Sequence, residues 1–184
     1  MIVGIVGPIA SGKSMLSDEL VKRGFIRLSF SFEVREEARN RGIPIERKAL
    51  QDLGNEMRLK FGRDYWAKRI ISKISGENNY AVEGIRNTSE VVALRELKDF
   101  ILAAVDAPLE KRYQWIMMRG KDSDPHFLEG VKLIDARDRG EGEGEHGQQT
   151  SKCMEMADFH IMNDKTKEHF QKKLDKLFKK FIFQ

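Results

Sequence analysis

Gly7-Pro8-Ile9-Ala10-Ser11-Gly12-Lys13-Ser14 is the segment of this 184-residue chain whose residue types and spacing specify the most chemistry. It has the spacing G-x-x-x-x-G-K-[ST], directly follows the apolar run at residues 2–6, and opens a helical pattern. The glycines let backbone N–H groups wrap closely around a polyphosphate. The helix N-terminus adds the positive end of its dipole. Lys13 is then placed to reach the β- and γ-phosphates of a nucleoside triphosphate, and the Ser14 hydroxyl to ligate Mg²⁺. The candidate nucleotide-binding set is therefore Gly7, Ala10, Ser11, Gly12, Lys13, Ser14 and the adjoining Met15, with ATP and Mg²⁺ as the expected ligands. A structural glycine turn would account for Gly7 and Gly12, but not for Lys-Ser at the next two positions.

An acid after a further strand commonly holds Mg²⁺ in such sites through water. Glu83 in Asn79-Tyr80-Ala81-Val82-Glu83-Gly84-Ile85-Arg86-Asn87 is the candidate, one methylene longer than the commoner aspartate. Gly84 permits a ligand to approach the backbone, and Arg86 would project into the cleft. The alternative for Glu83 is a strand-end ion pair. Elsewhere the signals are bland. His126, His146, His160 and His169 show no metal spacing and no nucleophile partner. Cys153, the single cysteine, reads as a small buried residue. Glu141, Glu143 and Glu145 alternate with glycine, have no fixed geometry, and read as solvated.

These residues need a scaffold. Short apolar runs at residues 2–6, 25–28, 80–82, 100–105 and 159–162 read as strands. Helical patterns cover residues 13–23, 32–41, 45–61, 65–74, 89–97 and 108–118, with a last amphipathic helix at the end of the chain. Strands separated by helices imply a parallel sheet with right-handed crossovers, an α/β three-layer domain spanning residues 1–184. Ligands of such sheets bind beyond the carboxyl ends of the strands, which places residues 7–14, 29–33, 83–87 and 163–164 around one site. Residues 119–147 are rich in charge and glycine. The tract 137–145 holds no apolar side chain to bury, so this stretch is predicted to be exposed and mobile.

The chain carries a net charge of +4. Residues 165–184 hold seven lysines and two acids, so the excess lies on the terminal helix and the remainder is close to neutral. The apolar positions Phe170, Leu174, Leu177, Phe178 and Phe181 make that helix an amphipathic one with a solvated basic face. Nucleic acid is therefore not the expected partner. No apolar stretch reaches 18 residues, which argues against a membrane span. A single cysteine and an N-terminus without a basic leader lead to the expectation of a cytoplasmic protein, a monomer or homodimer.

Three features taken together resemble the nucleoside monophosphate kinases: the phosphate loop, the acid-Gly-x-Arg segment at Glu83–Arg86, and the arginine-bearing stretch two-thirds along. Val105-Asp106-Ala107-Pro108, Arg112-Tyr113, Ala157-Asp158 and Ile161-Met162-Asn163-Asp164 are similar to the branch that holds dephospho-coenzyme A kinases and deoxynucleoside monophosphate kinases. Residues 50–55 and 64–66 look like the acceptor region of the latter. The resemblance implies a P-loop NTPase fold with a five-stranded parallel sheet, a helical acceptor-binding insertion at residues 30–76 and a lid at 119–147. It also implies contact of Asn163 with the adenine base.

On that footing the acceptor-binding candidates are Ser29, Arg35, Arg39, Gln51, Arg58 and Arg86, with Arg63 nearby. Arginines position and neutralise a phosphate through bidentate contacts, although arginines on helices are often only solvated. Phe30, Phe32, Tyr65 and Trp66 could stack on a base or pack in the core. Arg112, Arg119, Lys121, Arg137 and Arg139 are the lid candidates, led by Arg119 and Arg137, because transferred phosphate spreads negative charge that a closing segment can neutralise. Lys13, Arg86, Arg119 and Arg137 form the expected catalytic set. The expected reaction is γ-phosphate transfer from ATP to a nucleoside or deoxynucleoside monophosphate, a small nucleotide-like acceptor. One alternative is a dephospho-coenzyme A kinase acting on a ribose hydroxyl. Against it, Ser29-Phe30-Ser31-Phe32-Glu33 lacks the aspartate typical of that family. Another is a nucleotide-dependent regulatory ATPase.

Overall fold

The computed structural model describes residues 1–120 and 127–179. Lys121 and His126 from the candidate sets, and Phe181 of the terminal helix, lie outside the described residues. Strand β1 (Ile2–Val6) leads through the phosphate loop into α1 (Lys13–Val21). It is followed by β2 (Ile26–Ser29), α2 (Phe30–Asn40), α3 (Arg47–Phe61), α4 (Tyr65–Ile71), β3 (Tyr80–Glu83), α5 (Thr88–Arg95), β4 (Phe100–Asp106), α6 (Leu109–Arg119), α7 (Leu128–Arg139), α8 (Thr150–Glu155), β5 (Phe159–Met162) and α9 (Lys167–Leu177). The five strands form one parallel sheet in the order β2-β3-β1-β4-β5. This is the α/β three-layer fold the alternation implied.

The two-residue period of the strands divides the core. Ile2 and Val6 of β1, Tyr80 and Val82 of β3, and Leu102 and Ala104 of β4 face a layer built from α2 to α5 and α8, with Phe30, Leu53, Met57, Trp66 and Leu94 at its centre. Val3, Ile5, Ala81, Ala103 and Val105 face α1 and α9, which contribute Leu16, Leu20, Phe170 and Leu174. Central strands covered on both faces read as unbroken apolar runs, as β1 does. At the edge, β2 has only one neighbour, and Ile26 is left 43 % exposed.

Two helices were not anticipated, and both lie in or beside the charged stretch. The exposed, mobile stretch expected over residues 119–147 is instead, from residue 127 on, the helix α7 and a loop folded back onto the domain. Its anchors are polar as well as apolar. Val131 is fully buried against Ile9 and Ile116. Asp135 and Asp138 are buried too, and each is held by an arginine. The glutamates read as solvated are not all so. Glu143 accepts from Asn55 Nδ2 at 2.5 Å, from Arg137 Nε at 2.6 Å and from the Gln148 backbone N–H at 3.1 Å. The loop is further clamped by Asn87 Nδ2, which donates to the carbonyls of Glu145 and Gly147. Helix α8 buries Cys153 and Met154 against the core, and burial pushes the Cys153 thiol well above its usual range, leaving it inert.

Candidate active site

The phosphate loop adopts a conformation that few residues could share. A Cβ on Gly7 would lie 2.0 Å from the Val105 carbonyl oxygen. Gly12 has φ 107°, and a Cβ there would meet Asn163 Nδ2 at 2.6 Å. Ala10, with φ 58°, holds a left-handed conformation at the tip. Tight turns of this kind turn successive N–H groups to one side, making a concavity for anions. Asn163 reinforces it from the end of β5: its side chain donates to the Ser11 carbonyl at 3.1 Å. The Ser11 hydroxyl is buried and without a partner.

Lys13 donates to the Pro8 carbonyl at 2.6 Å, folded over its own loop. Loss of hydration, with the Arg86 charge second, pushes its ammonium down to about 7. The loop opens into a cleft of about 600 Å³ at the carboxyl end of the sheet. Ser29 and Ser31 line it from β2 and α2, Glu83 and Gly84 from β3, and Trp115 and Arg119 from α6. Among the described residues, seven cations reach this cleft: Lys13, Arg35, Arg47, Arg86, Arg119, Lys165 and Lys167. Among the described lining residues, Glu83 is its one carboxylate. The arrangement is an anion receptor, with Ser14 and Glu83 as the groups able to hold a divalent cation.

The cleft runs into a narrower slot of about 40 Å³ between α2, α3 and the loop after α7. Ser31, Arg35, Arg47, Gly84 and Arg86 line both spaces, so the two are continuous. Phe30, Trp66, Gln51, Gly54, Arg58 and Gln148 line the slot further in, with Val34 and Leu50. Arg86 stands at the junction, its Nη1 2.6 Å from Asp138 Oδ2 in an ion pair whose angles are poor for a hydrogen bond. Burial alone would raise the Asp138 carboxyl. The Arg86 and Arg47 guanidiniums outweigh that and hold it below the usual carboxylate range. Gln51 Nε2 donates to the other Asp138 oxygen at 2.6 Å.

Several candidates therefore meet in one place and others do not. Gly12, Lys13, Ser14, Met15, Ala10, Ser11, Ser29, Arg35, Glu83, Arg86, Arg119 and Asn163 line the cleft, and Gln51 and Arg58 the slot. Arg58 is engaged there: its Nε donates to buried Glu90 at 2.8 Å. Arg39 is outside both spaces, on the solvent face of α2, paired with Glu36. Arg137 is also outside, its two arms held by Asp52 at 2.7 Å and Glu143 at 2.6 Å. Arg112 is a buried staple and Arg139 pairs with Asp135 and Asp106, both away from the cleft. Of the aromatics, Trp66 is buried, with Nε1 donating to the Gly54 carbonyl, while Phe32 is 53 % exposed and outside the slot. Arg47, Trp115, Lys165, Lys167, Asp138 and Gln148 were missed. Trp115 and Arg119 are four apart on one helix face, a spacing that could have flagged Trp115. Nothing local marked Gln148.

A family model described as AAA domain matches residues 3–129. A UPF0200 protein of Pyrococcus horikoshii is 30% identical over 99% of this chain and 98% of its own length. The chain belongs to the UPF0200 family and carries an AAA domain. A UPF0200 protein of Methanothrix thermoacetophila is 32% identical over 94% of this chain and 93% of its own. The chain also spans 53% of a longer UPF0200/UPF0201 protein of Archaeoglobus fulgidus, at 32% identity. Among solved structures, shikimate kinase from Acinetobacter baumannii superposes with a TM-score of 0.58 at 15% identity, over 98% of this chain and 94% of that one. Dephospho-CoA kinase from Campylobacter jejuni does so with a TM-score of 0.58 at 16% identity, over 97% and 95%. The UPF0200 chain thus has a nucleotide-binding, P-loop kinase-like fold. Among the described residues, no helix is long and apolar enough to cross a membrane.

Proposed function

We propose that this chain transfers the γ-phosphate of ATP, bound with Mg²⁺, onto a nucleoside or deoxynucleoside monophosphate. The observation that carries the reading is the charge of the cleft: among the described residues, seven cations face a single carboxylate between the phosphate loop and the slot. A triphosphate held by the loop amides and Lys13 places its γ-phosphorus toward Arg86. Arg35, Arg47 and Arg86 receive the acceptor's phosphate, and Trp115 and Arg119 approach from α6. An oxygen of the acceptor phosphate attacks the γ-phosphorus while the bond to the β–γ bridging oxygen breaks, and ADP leaves. That oxygen already carries charge and needs positioning rather than a base. Ser14 and Glu83 would hold the metal ion, which would supply charge neutralisation for the phosphates.

A hydroxyl acceptor would need a proton acceptor as well. Glu33, the one candidate after β2, is buried and paired with Lys73 and Arg69, so it is committed elsewhere. This favours a phosphate acceptor over the ribose hydroxyl of dephospho-coenzyme A. With γ-labelled ATP, label is expected to pass to one or more nucleoside monophosphates and to none of the matching nucleosides. Transfer to nucleosides or to dephospho-coenzyme A alone would contradict the reading.

The slot offers a second check. A Cβ on Gly54 would sit 3.7 Å from Arg58 Nη1 and 3.8 Å from Gln148 Nε2, ordinary contacts. Gly54→Ala should therefore fold, and should gain about 0.5–1 kcal/mol from helix propensity. Its methyl group narrows the slot, so the KM for the acceptor is expected to rise several-fold while the KM for ATP stays unchanged. Melting curves and initial rates on both substrates measure the two effects.

A further inference from the structure

The loop that closes the slot ends in a side chain with one unused function. Gln148 is 2 % exposed and lines the slot, and its Oε1 is buried without a hydrogen-bond donor. The orientation of its amide is fixed by its neighbours. Glu143, as a carboxylate, only accepts, and it takes a hydrogen bond from Asn55 Nδ2 at 2.5 Å. Asn55 must then offer its oxygen to the other side, where Arg58 Nη1 also donates to it at 3.2 Å. Gln148 can satisfy that oxygen only with its NH₂ group, and Nε2 lies 3.0 Å away. The chain Glu143–Asn55–Gln148 thus leaves a carbonyl oxygen as its free end. Gln51, the other amide of the slot, is engaged at both ends, by Asp138 and by Arg137.

A buried acceptor left without a donor carries an uncompensated loss of hydration, which a ligand N–H relieves. A ligand lacking that N–H leaves the loss in place, and this asymmetry gives polar sites their discrimination. We propose that Gln148 determines acceptor specificity: its Oε1 accepts a hydrogen bond from an N–H on the base edge of a nucleoside monophosphate held in the slot. This rests on the acceptor class given above. Phe30 and Trp66 supply the apolar walls for a planar ring, and Arg35, Arg47 and Arg86 the phosphate end. A slot of about 40 Å³ admits the edge of the ring, with its body toward the connected cleft.

The test is calorimetric and needs no turnover. The chain, with Mg²⁺ and the β,γ-imido analogue of ATP, is titrated with AMP, GMP, CMP and UMP. Each is paired with its counterpart methylated at N6,N6, N1, N4,N4 or N3 respectively. In the wild-type chain at least one pair is expected to differ by 10-fold or more in favour of the N–H form, and in Gln148→Met that ratio should fall below about 3-fold. Carbonyl-¹³C-labelled glutamine reports on the wild-type chain directly, should the variant not fold: the Gln148 resonance should shift with the N–H probe and not with its methylated partner. An unchanged ratio in Gln148→Met, a silent Gln148 resonance, or no binding of any probe would overturn the assignment. Gln148-dependent binding without phosphate transfer would sink the transferase reading and leave this one standing. Transfer that ignores the Gln148 substitution would do the reverse.

Discussion

Lys13→Ala is expected to lower phosphoryl transfer by about 10²–10³-fold or more while the protein stays folded. Removal of one preorganised charge or donor from a developing oxyanion typically has an effect of this order. Lys13 is the one lysine within the phosphate loop. The fold should survive because the charge is held at a cost in the free chain. Its pKa is lowered from 10.5 to about 7, so between those values the native state binds fewer protons than the unfolded one. Stability therefore rises with pH across that window, and below it the full penalty is present. Lys13→Ala removes the penalty. The same shift predicts a second signature. A bound triphosphate restores the ammonium, so ATP affinity should fall by up to tenfold per pH unit above about pH 7, with proton uptake on binding. Calorimetry in buffers of different ionisation enthalpy measures that uptake. A wild-type affinity independent of pH from 7 to 9 would show that the Lys13 ammonium is not depressed in the free protein, and retention of full activity in Lys13→Ala would remove Lys13 from its role.

Arg112→Met is expected to destabilise the protein by about 3 kcal/mol, the lower end of the range for breaking a buried ion pair. Arg112 is 1 % exposed, and its guanidinium makes a two-pronged contact with Asp135 at 2.6 and 2.8 Å. It also donates to the carbonyls of Ala107 at 2.9 Å and Ile9 at 3.3 Å. One side chain thus joins α6, α7, the end of β4 and the phosphate loop. Methionine fills similar volume but leaves Asp135, among the described residues, with the Arg139 pair at 3.1 Å. That remaining pair sets the estimate at the low end. For a chain of this size the melting temperature should fall by roughly 6–12 °C. Because Ile9 lies in the loop, the KM for ATP should rise as well. A loss below about 1 kcal/mol in denaturant unfolding would show that α7 is held by something else.

Lys13 and Arg112 mark the boundary of what the sequence made legible. Lys13 stands in a motif whose spacing is tied to one backbone geometry, and the strand before it and the helix after it are read from local periodicity. For the same reason Ile2–Val6 and Phe159–Met162 were legible to the residue, and the parallel sheet followed from alternation. Arg112, Asp135 and Asp138 were not legible as structural groups, because a charge is read as surface unless its partner is known. Asp135 is 23 residues from Arg112, and Asp138 is 52 from Arg86. Helix α7 was missed on that account: two of its buried anchors are aspartates. The slot was legible only in part. Gln51, Arg58 and Arg86 were singled out, but Gln148 faces them from 62 or more residues away across a loop whose glycines and glutamates suggested mobility and exposure. Arg39 and Arg137 carried the right charge on elements of the right kind. Helix phase turned the first to solvent, and Asp52 and Glu143 captured the second.

Phosphorus NMR of the reaction product bears most directly on the central claim, since it reports which bond has formed. Incubation of the protein with ATP, Mg²⁺ and the accepted nucleoside monophosphate should yield paired, mutually coupled resonances of a new phosphoanhydride, in step with the appearance of ADP. A phosphomonoester signal, or inorganic phosphate released with the acceptor unchanged, would contradict the account.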